Sequence, residues 1–465
     1  MSPASECLET GSAATAPSST GAAPDRQYLN AADRLMLVAH DSMRAIGHGG
    51  FQCQTHVWLR DRVDPDALRA ALASLNRRFP VVTSRLVDPG GNRPSYWRYR
   101  PEARVELHEL TAGANDTATV WQRPEALFAE PLDLDETDPI AFHLLHLPDG
   151  RDVLVIRFGH ALMDGKAPEF VLQAINQYHN GAGADESSPA PAGNDVPVDE
   201  MRAHLERHER SRRFKAAMQV VRGQIRLPVK PVTLDRPDLK GWAIRPYRIA
   251  VRSLNENQTA ALTERATRLC GFANLSPVIL AGVFRAVSRL TPRPQRGRTC
   301  FQTDVPLNLR RPGTSAPIFH NFMSFVQMSA MGSELSDRDG LARTLSARMR
   351  DQLRRGIDLG NLQMMAFMSR HVRLLRKHVM ERAKKHPFTL GFGFQGPVVE
   401  GLETFCGRAV DWLYTLNSAM APPGITLQIN RFRDRLNLGL TYIEESVPES
   451  LAEAFLDAVI EDLLD

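Results

Sequence analysis

Val153-Leu154-Val155-Ile156-Arg157-Phe158-Gly159-His160-Ala161-Leu162-Met163-Asp164-Gly165 decides how this chain is read. Val153, Val155 and Ile156 are β-branched and sit in an apolar run, which predicts a buried strand. Leu147-Pro148-Asp149-Gly150 just before it is turn chemistry, since proline presets φ and glycine tolerates positive φ. Residues 140–147 form a second apolar run, so the spacing predicts a hairpin that delivers His160 to the mouth of a sheet. Beyond Gly165, apolar residues recur at three and four through Ile175, as a helix requires. A histidine fixed between a strand end and a helix start is what a positioned general base needs.

Upstream, Asn30-Ala31-Ala32-Asp33 reads as the cap of a helix over residues 34–45. His48-Gly49-Gly50 reads as a flexible turn. Asp64-Pro65-Asp66 opens an amphipathic helix with Leu68, Ala71, Leu72 and Leu75 on one face. Arg77-Arg78-Phe79-Pro80 ends it, and residues 81–86 read as a strand. The first 27 residues are rich in Ser, Ala, Thr, Pro and Gly, too polar to offset the entropy of ordering, which predicts a disordered tail. They show neither the basic start nor the apolar stretch of a secretory signal.

Downstream, residues 181–200 are loop-like in composition, and the charged residues 201–226 read as helical. His204 and His208 there have metal-ligand spacing but no third ligand, so an exposed helix face is expected. Asn255 leads into a helix through residue 269, and Ser276-Pro277 reads as a cap with proline at the first helical position, opening a helix through residue 290. Residues 300–305 read as a strand, and residues 425–430 with 436–442 as a hairpin. From about residue 448 an amphipathic helix repeats Leu451, Phe455, Val459 and Leu463.

A hydrophobic content of 43% over 465 residues is ample for a sizeable core. The net charge of +4, from 57 basic and 53 acidic residues, is too slight for a nucleic-acid binder. Five scattered cysteines with no Cys-x-x-Cys pair suggest neither a disulfide framework nor a zinc site, and the expected location is a reducing cytoplasm. No uncharged apolar run reaches the roughly 18 residues of a membrane span. Residues 364–386 set Arg370, Arg373, Arg376, Lys377, Arg382, Lys384 and Lys385 against an apolar stripe of Met365, Met368, Val372, Leu375 and Val379. That basic amphipathic helix suits core packing, peripheral contact with anionic lipid, or guidance of a CoA phosphate or an acidic carrier protein.

His160-x-x-x-Asp164-Gly165, with a strand before it and a helix after, resembles the HxxxDG motif of the CoA-dependent acyltransferase superfamily. That group includes chloramphenicol acetyltransferase, BAHD enzymes, condensation domains of peptide synthetases and wax ester synthases. The resemblance runs from about residue 28 to the end. It implies an α+β fold (α/β two-layer) of two chloramphenicol acetyltransferase-like subdomains, each a mixed sheet flanked by helices, with an active-site tunnel between them. The expected organisation is a tail over 1–27, an N-terminal subdomain over 28–182, a linker or crossover over 183–248 and a C-terminal subdomain over 249–465. Pro306-Leu307-Asn308-Leu309-Arg310 resembles a P-x-x-x-R segment whose arginine pairs with the motif aspartate, so Arg310 is expected on Asp164, with Arg311 as the neighbouring alternative. A buried carboxylate needs such a partner, and a guanidinium satisfies it bidentately. In Phe319-His320-Asn321-Phe322, bacterial relatives carry Gly-Asn near the acyl channel, which makes Asn321 an acyl-channel candidate although His320 replaces the glycine. Gly391-Phe392-Gly393-Phe394-Gln395-Gly396-Pro397-Val398 resembles the DFGWG segment of BAHD enzymes with its aspartate replaced, which points to a bacterial free-standing relative and to glycines that allow close strand packing.

Neither a Gly-x-Ser-x-Gly elbow nor a cysteine with an activating partner is present, so transfer without a covalent acyl-enzyme is expected. The resemblance makes His160 the general base toward a small-molecule alcohol or amine acceptor. Acyl-CoA or an acyl-carrier protein is then a co-substrate, with no bound cofactor and no metal. Asp164 and Arg310 are expected to support the loop, and Gly165 to permit backbone geometry that a Cβ obstructs. The chief alternative is an amide-forming condensation enzyme of peptide natural-product synthesis. Those usually carry His-His-x-x-x-Asp-Gly, and Gly159 stands where the first histidine belongs. A non-catalytic relative is the third reading.

Overall fold

The computed structural model describes residues 25–90, 93–181, 200–225, 230–234, 246–271, 274–291, 299–310, 318–384, 388–399 and 401–465. The first half runs β1 (Arg26–Tyr28), α1 (Ala31–Ala45), β2 (Gln52–Leu59), α2 (Pro65–Arg78), β3 (Arg85–Val87), β4 (Tyr96–Arg98), β5 (Leu107–Thr111), α3 (Thr117–Ala129), β6 (Ile140–His146), β7 (Asp152–Gly159) and α4 (Ala167–His179). Helices α5 (Glu200–Glu206) and α6 (Arg210–Ile225) lead to the second half. That half begins with β8 (Tyr247–Leu254), α7 (Glu256–Cys270), α8 (Ser276–Leu290), β9 (Cys300–Asn308), β10 (Met323–Met331) and α9 (Arg338–Arg354). It continues through α10 (Ile357–Met368), α11 (Val372–Lys384), β11 (Gly391–Pro397), β12 (Thr404–Phe405), β13 (Arg408–Asn417), β14 (Ile425–Phe432), β15 (Arg435–Ile443) and α12 (Glu449–Leu464).

The expected hairpin forms. β6 and β7 pair antiparallel, with Ile140 opposite Phe158 and His146 opposite Asp152. The turn between them closes through Leu147 N–H to the Arg151 carbonyl at 2.9 Å, with Gly150 at φ +90°. Every residue of β7 is buried, because β7 lies inside a six-stranded sheet ordered β12-β13-β2-β7-β6-β5 whose two faces are both covered. Such a strand must be apolar nearly throughout, which is why its sequence shows a run rather than an alternation.

A second, four-stranded sheet is ordered β11-β14-β15-β8, and β9 and β10 form a hairpin beside its β11 edge. Thr389 N–H reaches the Gln302 carbonyl at 2.7 Å across that junction. β5–β6 and β11–β14 are parallel pairs within otherwise antiparallel sheets, so both sheets are mixed. Each has its own apolar core, one built around Leu72, Phe142, Ile156 and Leu172, the other around Phe284, Phe301, Ile429 and Phe455. The two-subdomain α+β architecture is the observed one.

Several expectations need correction. The chain is ordered before residue 28, since Arg26 and Gln27 pair with Arg98 and Trp97. The second sheet begins at Tyr247, two residues before the expected boundary at 249. More consequentially, the 249–465 segment is not confined to its own lobe. β13 pairs antiparallel with β2, Leu413 opposite Val57, and so completes the sheet of the first half. Residues 80–83 form a 3-10 turn and only Arg85–Val87 is a strand. Ser276 is the first residue of helix α8 instead of its cap; Leu275 holds the N-cap position, and Asn274 Oδ1 accepts from Ser276 N–H at 3.0 Å. His48-Gly49-Gly50 is packed tight: a Cβ on Gly50, which has φ +102°, would stand 2.3 Å from the His40 ring. Residues 364–384 break at 369–371 into α10 and α11 instead of forming one helix. Arg311, residues 1–24 of the expected tail, residues 183–199, 226–229 and 235–245 of the expected 183–248 linker, and Lys385 lie outside the described residues.

Candidate active site

His160 follows directly on the last residue of β7, and its N–H donates to the Phe51 carbonyl at 3.0 Å. A tight loop, with Leu162 N–H on the Gly159 carbonyl and Ala167 N–H on the Asp164 carbonyl, turns the chain into α4. The imidazole is 7% exposed and lies against the Phe51 ring, centroids 4.7 Å apart. Burial pushes its pKa below the ordinary histidine range, against the opposing influence of Asn321, Asp164 and Asp33, so the neutral base is favoured at pH 7. Its Nδ1 is buried with no hydrogen-bond partner.

Asp164 points away from the imidazole as expected. Its Oδ2 accepts from Arg310 Nη1 at 2.5 Å and from Phe322 N–H at 2.8 Å, and its Oδ1 from Lys166 N–H at 3.1 Å. Arg310 also donates from Nη2 to the His320 carbonyl at 3.0 Å. Both side chains are buried, so the ion pair ties the motif loop of the first half to the segment leading into β10 of the second. The sequence placed Asp164 and Arg310 on each other, and the structure does the same.

Asn321 takes a different place from the expected one. It is fully buried and absent from the cavity wall described below; its amide nitrogen donates to the His160 carbonyl at 2.8 Å and to Asp33 Oδ1 at 2.9 Å. Asn321 therefore positions the His160 backbone and does not line an acyl channel. Asp33, read from sequence only as a helix cap, is the hub behind it. Its Oδ2 receives Asn30 N–H at 2.9 Å and lies 2.7 Å from His320 Nδ1, and its Oδ1 receives Asn321 N–H at 2.7 Å. His320, the departure from the glycine of bacterial relatives, is thereby part of the support. Only the cap of this network was visible locally, because the other partners lie about 290 residues away.

Gly165 is not in the left-handed region; its requirement is space. A Cβ there would stand 2.2 Å from Gln395 Nε2, which donates to the Gly165 carbonyl at 2.8 Å. Gln395 is pinned at its other end by Thr415 Oγ1 at 2.6 Å. The glycine-rich β11 thus does approach the motif loop closely, through a residue that sequence did not single out. Gly159 is close-packed as well, with a Cβ 3.0 Å from Leu134 Cδ2, a contact that a shift of a few tenths of an ångström in that side chain relieves.

A cavity of about 650 Å³ reaches this site, with His160, Asp164, Gly165 and Phe51 in its wall. Its other walls come from α1 and from the second half, including Pro306, Met323, Met365, Phe394 and Met420. A second, more polar cavity of about 540 Å³ adjoins it and shares Val220, Asp304, Phe325 and Asn361. The imidazole is therefore accessible from a chamber between the two halves. Among the described residues no group of three or more His, Cys, Asp or Glu side chains could hold a metal, and the His204 and His208 rings meet edge to face with centroids 5.8 Å apart. No described helix is long and apolar enough to cross a membrane.

Several solved structures share this fold. The trichothecene 15-O-acetyltransferase of Fusarium sporotrichioides superposes with a TM-score of 0.69 at 12% identity, covering 94% of this chain and 95% of that one. The first condensation domain of the calcium-dependent antibiotic synthetase, with a substrate analogue, gives 0.70 at 16% identity over 94% and 95%. The condensation domain of the monacolin K polyketide synthase gives 0.63 at 15% over 95% and 97%. The chain has the condensation-domain fold. No family model matches it, and no curated sequence does. In the condensation-domain fold observed here, β13 crosses between lobes and the chamber lies beside that crossing.

Proposed function

We propose that this protein is an acyltransferase that moves an acyl group from a thioester, acyl-CoA or acyl-carrier protein, to an acceptor hydroxyl. The observation that supports it most is the His160 ring, held at the end of β7 in the wall of the interlobe chamber and biased toward its neutral form. With Nδ1 buried, Nε2 is the nitrogen left for substrate. As the acceptor oxygen bonds to the thioester carbon, Nε2 takes the hydroxyl proton. The tetrahedral adduct then collapses, the C–S bond breaks, and the thiolate recovers the proton from the imidazolium. Nothing in this sequence of steps passes through a metal or a bound cofactor, and the thioester is a co-substrate. Asp164, Arg310 and Asn321 hold the base and its loop in place and touch no reacting atom. The amide-forming alternative is the weaker reading, because Gly159 stands where condensation domains usually carry their first histidine.

A positioned base contributes about 10²–10⁴-fold in rate. Thiol release from a panel of acyl thioesters with alcohol and amine acceptors tests the reading directly. His160→Ala is expected to fold, with an unchanged melting profile, and to release thiol at least about a hundredfold more slowly. Turnover near the parent's in that variant removes His160 from the chemistry.

A further inference from the structure

Leu35 and Ala39 of α1, Met364 and Met368 of α10 and Leu375 and Val379 of α11 give the chamber an apolar stretch of wall, to which these helices add Asn361 and His378 as polar side chains. Met36, Met323, Met365 and Met420 continue the lining, so six methionines surround the space. Methionine is unbranched and polarizable, and adapts to flexible apolar ligands in many conformations.

The polar side chains in the wall are largely committed to the protein. Gln395 bridges Gly165 and Thr415, and Asn417 donates to Gln428 at 3.2 Å. Thr303 donates to the Leu390 carbonyl at 2.9 Å, and Asn361 to the Phe325 carbonyl at 2.7 Å. A ligand rich in amides or hydroxyls would leave its own groups unpaired along this wall, at a cost that a hydrocarbon does not incur.

Where α10 turns into α11, Phe367 (51% exposed) and Leu374 (48% exposed) line the chamber and also face solvent. These are large apolar side chains at an opening, where polar residues would ordinarily sit. The size of the chamber falls within the range of pockets that enclose whole small-molecule ligands.

We infer that the chamber takes an extended alkyl chain of about ten carbons or more, entering past Phe367 and Leu374 with its functional end at His160. This rests on the acyltransferase reading for the role of that functional end, while the alkyl selectivity stands on the wall alone. The chain belongs either to the thioester donor or to a long-chain alcohol acceptor; the wall recognises the same chemistry in both.

The experiment crosses two donors, acetyl-CoA and dodecanoyl-CoA, with a short and a twelve-carbon alcohol, and measures kcat/KM by thiol release. Titration calorimetry of both CoA esters and of dodecanoate runs alongside. Each buried methylene strengthens binding up to about fourfold, so ten of them should raise kcat/KM for the long partner by at least about a hundredfold. A preference carried by the donor assigns the chamber to the acyl chain, and one carried by the alcohol assigns it to the acceptor. Equal or better turnover with both short partners overturns the inference and leaves the acyltransferase reading intact. If no combination releases thiol, that reading fails, and calorimetry decides the inference: dodecyl ligands must bind at least tenfold more tightly than acetyl-CoA, and equal binding overturns it. Ala39→Leu and Met364→Trp, which enlarge chamber-lining side chains on α1 and α10, should each lower the ratio of long- to short-chain kcat/KM at least tenfold. An unchanged ratio in both places the chain elsewhere.

Discussion

At the scale of single residues, the candidate site is a buried imidazole whose loop is held by an ion pair and an amide. Asp164 and Arg310 form an ion pair in which neither side chain is more than 6% exposed. Removing one member of such a pair strands a charge without solvent, a loss of about 3–5 kcal/mol. Arg310→Ala should therefore unfold at markedly lower temperature than the parent, as read by calorimetry, and Asp164→Asn should fall between them; parent-like melting for both would refute the pairing. Asn321 is subtler. Asn321→Ala removes the donor to the His160 carbonyl, leaving that buried acceptor short of a partner at about 1–3 kcal/mol, while Asp33 Oδ1 keeps the backbone N–H of residue 321. Its expected signature is a lower kcat with little change in KM, since the base is displaced but the chamber is not. A change confined to KM would instead return Asn321 to the substrate channel.

At the scale of elements, β7 and β13 carry the architecture. β7 could be read from its own composition, because a strand covered on both faces must be apolar along its length. β13 could not be assigned to its sheet that way. Its sequence resembles any half-buried strand, and its partner β2 lies some 350 residues earlier. Leu413 is fully buried in the core of the first lobe although it belongs to the second half of the chain. Leu413→Ala should cost about 2–5 kcal/mol in chemical denaturation, and it should do so in a single transition, because the strand it weakens is shared by both lobes. Two separated transitions would mean that the lobes fold independently. The break between α10 and α11 was likewise illegible: residues 364–384 keep helical spacing throughout, and the chain bends where packing on α1 and the chamber requires it.

At the scale of the whole molecule, burial favours the neutral form of four of the described histidines. Burial holds His56 and His143 at about 3, and lowers His40 and His160 as well. In the unfolded chain these rings titrate near 6.5. Because the folded values are depressed, the unfolded state binds more protons between about pH 3 and 6.5. The stability they contribute is thus fully present above about pH 6.5 and is lost as the pH falls through that window. From pH 7 to pH 5 the loss is about 2 kcal/mol for each of His56 and His143. Melting temperature measured at pH 7, 6 and 5 should drop steadily, and His56→Phe should flatten the dependence. A melting temperature that ignores pH over this range would contradict the burial of these rings.

Some of this was fixed by local sequence. The hairpin that presents His160, the helix after Gly165, the capped α1 and the face of α2 follow from period, turn residues and caps, whose physics acts within a few residues. The Asp164–Arg310 pair was reachable too, through the resemblance of Pro306-Leu307-Asn308-Leu309-Arg310 to a P-x-x-x-R segment, and a buried carboxylate needs such a counter-charge. Tertiary structure alone decided that Asn321 and Asp33 stand behind the base, that Gln395 fills the space Gly165 leaves, and that β13 completes the other lobe's sheet. The chamber's size and apolar wall were decided there as well. Each of these is an interaction between residues hundreds of positions apart, and no local pattern encodes which distant side chains will share one buried volume.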